Sequence, residues 1–435
     1  MNSLIKKLND NEATLGVIGL GYVGLPLAVE MAKAGYRTFG FELQQTKLDA
    51  IRAGISYIAD VPSEKLKSIT ESGLLSVTSD FSLIASVDCI CICVPTPLDK
   101  HQVPDISCVR AAAESIIPCL HKDMLIVLES TTYPGTTEEL LRPLFEQSGL
   151  ICGEDFYLAF SPERVDPGNS IYDTNNTPKV VGGITHQCTN SAAALYEKII
   201  DAAIHRVSSP AVAEMEKILE NTYRNINIGL INELAILCHE MGINIWEVID
   251  AARTKPYGFQ AFYPGSGLGG HCIPLDPYYL SWKAREYGLH TSMIEVSMTI
   301  NDGMPKYCTE RVSKMLNKRK KALNGSRIVV LGVAYKQDID DCRESPSIKV
   351  IHELEKDGAE VHYYDPYITE YNEYGATRRG ELALTAELLE AADLVIIATA
   401  HTTVDYAFVQ RHASLIFDTK NAMAKIKDRH NIELL

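Results

Sequence analysis

Thr14-Leu-Gly-Val-Ile18 runs without interruption into Gly19-Leu-Gly-Tyr-Val-Gly24. The spacing predicts a strand, a tight turn and a helix from Pro26 to Ala34 that Gly35 ends. A second strand, Arg37-Thr-Phe-Gly-Phe-Glu42, follows. Strand, glycine turn, helix and strand in this order restrict the chain to a parallel, doubly wound sheet. Each glycine has a task. Gly19 makes the turn, Gly21 lets a pyrophosphate approach the backbone, and Gly24 allows the helix to pack closely. Tyr22 and Val23, inside the fingerprint, count with the cofactor-binding residues. Glu42, about 20 residues after the first glycine, is placed to accept hydrogen bonds from ribose hydroxyls and to repel a 2′-phosphate. The cofactor expected is NAD rather than NADP.

Strand-sized apolar runs recur at Val87 to Val94, Met124 to Leu128 and Asp155 to Phe160. Val94-Pro-Thr-Pro97 and Glu129-Ser-Thr131 end two of them, so Pro95, Thr96 and Thr131 should line the crevice at the carboxyl ends of the strands. From Ser209 to Asn301 the pattern changes to long helices, broken by a glycine-rich stretch from Gly258 to Asp276. A new strand, Arg327 to Gly332, opens a second α/β unit with a helix from Ser347 to Lys356 and strands at Glu360–Tyr364, Leu394–Thr399 and Ser414–Phe417. The expected architecture is α/β: two Rossmann-like doubly wound domains joined by a long central helix. Its domains are residues 1–208 for NAD, 209–314 for the helical region with the cysteine loop, and 315–435 for the second α/β unit.

A chain of 435 residues exceeds one hydrophobic core, which agrees with that division. Its longest apolar runs are far too short to cross a bilayer, and the amino terminus lacks the apolar core of a secretory signal. A net charge of −15 argues against nucleic acid or an anionic membrane as the partner. Eleven cysteines are scattered without CxxC pairs, and no His/Cys group has zinc spacing, so reduced thiols, a cytoplasmic setting and no metal are expected. Cys89, Cys91 and Cys93 alternate along one strand and should pack on one face as small hydrophobes.

Cys272 is the exception, because it closes the loop Tyr263-Pro-Gly-Ser-Gly-Leu-Gly-Gly-His-Cys272, with Asp276 four residues on. Glycine lets a ligand approach the backbone, so a thiol there is reachable. A thiol near a hydride acceptor can capture an aldehyde and allow a second oxidation. On the long helix, Lys217 and Asn221 are four residues apart and share a face. An ammonium and an amide side by side on a largely apolar helix can stabilise a developing alkoxide. Thr131 and Glu163 of Ser161-Pro-Glu-Arg164 could add a hydroxyl and a carboxylate. Tyr279-Leu-Ser-Trp-Lys283 matches the Tyr/Lys pair of short-chain dehydrogenases, but its position in the chain is wrong for that architecture, and both residues read as structural. His239, His271 and His290 have no partner at metal spacing.

With these residues together, the chain resembles the UDP-glucose/GDP-mannose dehydrogenase family over essentially its whole length. The resemblance rests on Gly19 to Pro26, Val94 to Pro97, Glu129 to Thr131 with Pro134-Gly135, Ser161 to Arg164, Glu216 to Asn221, Gly269-Gly-His-Cys272 with Asp276, and Gly332-Val-Ala-Tyr-Lys336 with Arg343-Glu-Ser345, in family order. It implies Cys272 as nucleophile, Lys217 and Asn221 as oxyanion stabilisers, and Glu163 and Asp276 in water handling. It places Lys336 and Arg343 on substrate or cofactor phosphates, and Arg164, Tyr263 and Gly269 with Glu163, Lys217 and Asn221 among the substrate contacts. A homodimer through the central helix is also implied.

The cysteine loop departs from the UDP-glucose branch. Leu268 to Leu280 with Trp282 to Gly288 resembles the branch acting on UDP-N-acetylhexosamines, in particular UDP-N-acetylglucosamine, in surface polysaccharide synthesis. UDP-N-acetylgalactosamine and UDP-glucose are the alternatives. A two-electron 6-phosphogluconate-type dehydrogenase, a nucleotide-sugar sensor and an NAD-dependent epimerase remain as rivals. The first needs neither Cys272 nor a second nucleotide domain.

Overall fold

The computed structural model describes residues 3–435 except 59, 100, 167, 170, 271 and 374. Contacts divide it into two units: Met1–Glu220 with Tyr278–Leu289, and Asn221–Pro277 with His290–Leu435.

The first unit is built on eight strands: β1 (Thr14–Ile18), β2 (Arg37–Phe41), β3 (Leu75–Thr78), β4 (Cys89–Ile92), β5 (Leu125–Leu128), β6 (Tyr157–Phe160), β7 (Lys179–Gly183) and β8 (Ile204–Val207). Their order in the sheet is β3-β2-β1-β4-β5-β6-β7-β8. The first six follow the doubly wound order, with the direction of winding reversing between β1 and β4. Strands covered on both faces must be apolar throughout, and β4 and β5 are buried at every residue. Cys89, Cys91 and Cys93 are all buried, as their alternation predicts. The sequence gives no warning of β7, which runs antiparallel to β6 in an otherwise parallel sheet.

The second unit carries β9 (Arg327–Leu331), β10 (Glu360–Tyr364), β11 (Glu370–Glu373), β12 (Ala376–Arg379), β13 (Leu394–Ile397), β14 (Ile416–Asp418) and β15 (Ile432–Leu434). Five of them form a parallel sheet ordered β10-β9-β13-β14-β15, and β11 and β12 pair as a separate hairpin. The helix Pro346–Lys356 begins one residue before the sequence reading placed it, because Pro346 suits the first helical turn and Ser345 accepts the Ser347 N–H as its cap.

A helix of 32 residues, Pro210–Met241, passes through the boundary between the units. Its exposed apolar residues include Val212, Met215, Leu219, Tyr223, Leu230, Leu237 and Met241. Steps of three, four and seven keep these on one side of a helix. In the helix Ser292–Lys318, Pro305 lacks the N–H that would bond the carbonyl four residues earlier. Gly267 packs at that place, where an added Cβ would lie 3.2 Å from Asn301 O.

Candidate functional site

In the first unit the fingerprint forms a cradle. Gly19 has φ of +89°, and a Cβ on Gly24 would sit 1.8 Å from Gly19 O. Turn and helix therefore approach so closely that neither glycine tolerates a side chain. A Cβ on Gly21 would meet nothing within 4 Å. That open space lies at the amino end of the helix Gly24–Lys33, where N–H groups and the helix dipole favour a phosphate. Tyr22 is partly exposed beside it.

Glu42 closes the far side. Its carboxylate accepts from Leu20 N at 3.2 Å, Leu43 N at 2.9 Å and Gln44 N at 3.1 Å. Burial works to raise its pKa, but these backbone donors and Lys47 outweigh it and hold the group below the usual carboxylate range. The Lys47 contact, at 3.3 Å, is the longest of the four and the one a ribose hydroxyl can replace. The residues present fit NAD. A 2′-phosphate beside this fixed anion would cost several kcal/mol, so kcat/KM with NAD should exceed that with NADP by about a hundredfold or more. Comparable rates with the two cofactors, measured by dinucleotide reduction, would overturn the assignment.

The loops after β4 and β5 are bonded to each other. Ser130 Oγ donates to Val94 O at 2.7 Å, and Thr96 Oγ1 donates to Thr131 O at 2.8 Å. Tyr279 donates its hydroxyl proton to Thr96 O, and Lys283 pairs with Glu139 at 2.6 Å and Glu286 at 2.7 Å. Both members of the YxxxK match thus have structural bonds, and Pro95 and Thr96 keep their place at the strand ends.

After β6 the chain turns through Ser161-Pro-Glu-Arg164. Glu163 Oε1 accepts from the N–H groups of Arg164 at 2.8 Å and Val165 at 2.7 Å. Lys217, 8% exposed, donates to Glu163 O, so the helix lysine and this loop are in direct contact. The Arg164 guanidinium pairs with Glu220 and Glu216 and donates to Pro178 O at 2.8 Å. Burial and a hydrogen bond with Glu220 push the Glu216 carboxyl up to about 7.

In the second unit the glycine-rich loop brings Cys272 to the surface. Cys272 O accepts from Leu275 N at 3.1 Å and Asp276 N at 2.9 Å, a turn that presents the cysteine just before the helix Asp276–Ala284. Asn221 Nδ2 donates to Asp276 Oδ2 at 2.5 Å, both nearly buried. Asn225, one turn further along the helix, holds Ile273 O at 3.1 Å. Two helix amides therefore fix the cysteine turn from either end. Gly270 N bonds Arg343 O at 3.1 Å, and a Cβ on Gly269 would fall 2.6 Å from Tyr335 Cβ. The loop thus packs against the segment carrying Lys336 and Arg343. Arg343 binds both oxygens of Asp341, its Nη2 at 2.6 Å. Tyr263, partly exposed, stacks on Trp246 with ring centroids 5.8 Å apart. His271 lies outside the described residues.

The structure adds residues that sequence reasoning missed. Lys420 follows β14, and a Cβ on Gly265 would lie 2.4 Å from its Nζ. Burial lowers its pKa. Its position just past a strand end, like that of Lys336, was the available signal. Lys179 and the Glu129 carboxylate form a buried pair at 2.7 Å that nothing local in sequence announces. No group of three or more His, Cys, Asp or Glu residues able to hold a metal occurs among the described residues. No described helix is long and apolar enough to cross a membrane.

Three family models match in sequence order: the NAD-binding domain over residues 13–200, the central domain over 211–303 and the UDP-binding domain over 329–425 of the UDP-glucose/GDP-mannose dehydrogenase family. The chain is 39% identical to UDP-N-acetyl-D-glucosamine 6-dehydrogenase of Pseudomonas aeruginosa, over 89% of this chain and 90% of that protein. It is 35% identical to UDP-N-acetyl-D-mannosamine dehydrogenase of Pyrococcus horikoshii, over 89% of each. The solved structure of the UDP-D-ManNAc dehydrogenase from Pyrococcus horikoshii superposes with a TM-score of 0.88 at 32% identity, covering 97% of this chain and 98% of that one. The cradle, the cysteine loop and most of the second parallel sheet fall within the three matched domains in turn, and the chain belongs to the UDP-glucose/GDP-mannose dehydrogenase family of NAD-dependent UDP-sugar dehydrogenases.

Proposed function

We propose that the chain oxidises the C6 hydroxymethyl group of a UDP-N-acetylhexosamine to a carboxylate, with UDP-N-acetylglucosamine as the preferred substrate. The observation that carries this reading is the exposed Cys272, held on a turn whose Asp276 is bonded to Asn221 of the long helix. NAD supplies the hydride acceptor, two molecules being reduced for each sugar. Loss of a proton and a hydride from the C6 alcohol leaves an aldehyde. The Cys272 thiolate attacks its carbon, forming a C–S bond and moving the carbonyl pair onto oxygen. Lys217 and Asn221, one turn apart, stabilise that oxyanion. Departure of the second hydride gives a thioester. Water adds to it, the C–S bond breaks and the thiolate is restored, with Glu163 or Asp276 taking the water proton and Thr131 assisting. Glu163, Arg164, Tyr263 and Gly269 contact the sugar side, and Lys336 the phosphates. Arg343 serves the cofactor or substrate phosphates.

The names of the relatives support an N-acetylated sugar and divide between the gluco and manno forms. A pocket built for a 2-acetamido group leaves its polar partners unpaired when plain UDP-glucose binds, at about 1–3 kcal/mol per group. A panel of UDP-sugars assayed by NADH release should therefore favour UDP-N-acetylglucosamine over UDP-glucose by about fivefold to a few hundredfold in kcat/KM. UDP-N-acetylgalactosamine should rank second. Faster turnover of UDP-N-acetylmannosamine would move the chain to the manno form, and faster turnover of UDP-glucose would remove the acetamido pocket. Both would leave the cysteine mechanism in place. The apolar stripe along Pro210–Met241 supports a homodimer, which sedimentation would detect as twice the chain mass.

A further inference from the structure

We propose that Lys179 and Glu129 are positioning residues, a buried ion pair that holds the loop carrying Glu163 in register with the loop carrying Thr131. The proposal rests on the reading of Glu163 and Thr131 as site residues. It begins with the one antiparallel strand next to β6. Because β7 runs against β6, its first residue, not its last, lies at the edge where β5 and β6 end. Phe160 pairs with Gly182, and beyond them Ser161 Oγ donates to Val180 O at 2.8 Å. The start of β7 therefore runs alongside the Ser161–Arg164 loop. Lys179 Nζ reaches over the exit of β6 to Glu129 Oε2 at 2.7 Å and also donates to Pro162 O at 3.2 Å. One ammonium thus ties the end of β5, two residues before Thr131, to the residue before Glu163.

The remaining partners complete the arrangement. Tyr196 donates its hydroxyl proton to the other Glu129 oxygen, and the Lys179 ammonium lies 4.8 Å from the Tyr196 ring centre. The neighbouring Pro178 O accepts from Arg164 at 2.8 Å, so the two segments brace each other in both directions. The Lys179 side chain is 10% exposed and that of Glu129 is 0%. A buried pair of this kind adds little stability over well-packed apolar residues of similar volume. Its effect here is to fix where the Pro162 carbonyl, and hence Glu163, sits.

The double variant Lys179→Met/Glu129→Gln removes both charges while leaving Tyr196 an acceptor, and avoids the unpaired buried charge that either single loss creates. NAD affinity and Tm should stay near those of the unaltered chain. At saturating UDP-N-acetylglucosamine, kcat should fall by about tenfold to a hundredfold, the usual effect of misplacing a site group by about 1 Å, while KM changes little. Lys179→Arg, which keeps the charge, should recover much of the rate. Independently of any substrate, hydrogen exchange at the Arg164 and Val165 amides should quicken about tenfold while β6 stays protected. An unaltered chain inactive on every UDP-sugar would overturn the functional reading and leave the exchange result to decide this inference. Unchanged exchange at those two amides would overturn it, as would an unchanged kcat in an active enzyme.

Discussion

Cys272→Ala should lower conversion of sugar alcohol to acid by about a thousandfold or more while leaving NAD binding at its original level. The size of the effect follows from what the thiol does. Without it the aldehyde has no covalent hold, so the second oxidation loses its thiohemiacetal and the hydrolysis its thioester. The exposed turn that carries Cys272 is held through its backbone, by Leu275 N and Asp276 N, so losing the sulfur need not disturb the loop. The unaltered enzyme should release two NADH for each sugar, since a four-electron oxidation needs two two-electron acceptors. Titrating a limiting amount of UDP-sugar to completion counts them. One NADH per sugar with free aldehyde in solution would make Cys272 structural and favour a two-electron dehydrogenase.

Lys217→Met should lower kcat by about 10²–10³-fold, the usual effect of removing one donor from an oxyanion. Methionine fills much of the lysine stem, so packing on the helix is largely kept. Glu163 O loses its donor, which should cost about 1–3 kcal/mol of stability, measurable by denaturant unfolding. Lys217→Arg should rescue poorly, because a planar fork cannot replace a compact ammonium in a site 8% exposed. A methionine variant within about threefold of the original rate would remove Lys217 from the chemistry.

Local order was legible in the sequence, and long-range partnership was not. The fingerprint revealed β1, the turn and the following helix because one of its main constraints, Gly24 against Gly19 O, is set within five residues of chain. Alternating cysteines identified one buried strand face for the same reason. The four-residue spacing of Lys217 and Asn221 placed both on one side of a helix, but their partners, Glu163 O and Asp276, lie 54 and 55 residues away. Nor could the sequence show that β7 runs backwards, since strand direction depends on how the intervening chain returns. That reversal is what brings Lys179 beside Pro162. Lys420 escaped for a related reason, because its closeness to Gly265 appears only when both segments are in space.

The eleven thiols of this chain have very different fates under oxidative stress. Cys89, Cys91 and Cys93 are buried, and burial pushes each well above its ordinary pKa, so they present neither a thiolate nor a path for peroxide. Cys272 and Cys108 are the exposed ones. Oxidant damage should therefore begin as a local event at the Cys272 loop or at the first turn of the helix Ser107–Ile116, which carries Cys108, rather than as an attack on the core. A protein inactivated through Cys272 sulfenic acid would stay folded and could regain activity on treatment with a small thiol. In this fold the risk attached to a reactive sulfur falls on turnover, and the architecture that supports it is spared.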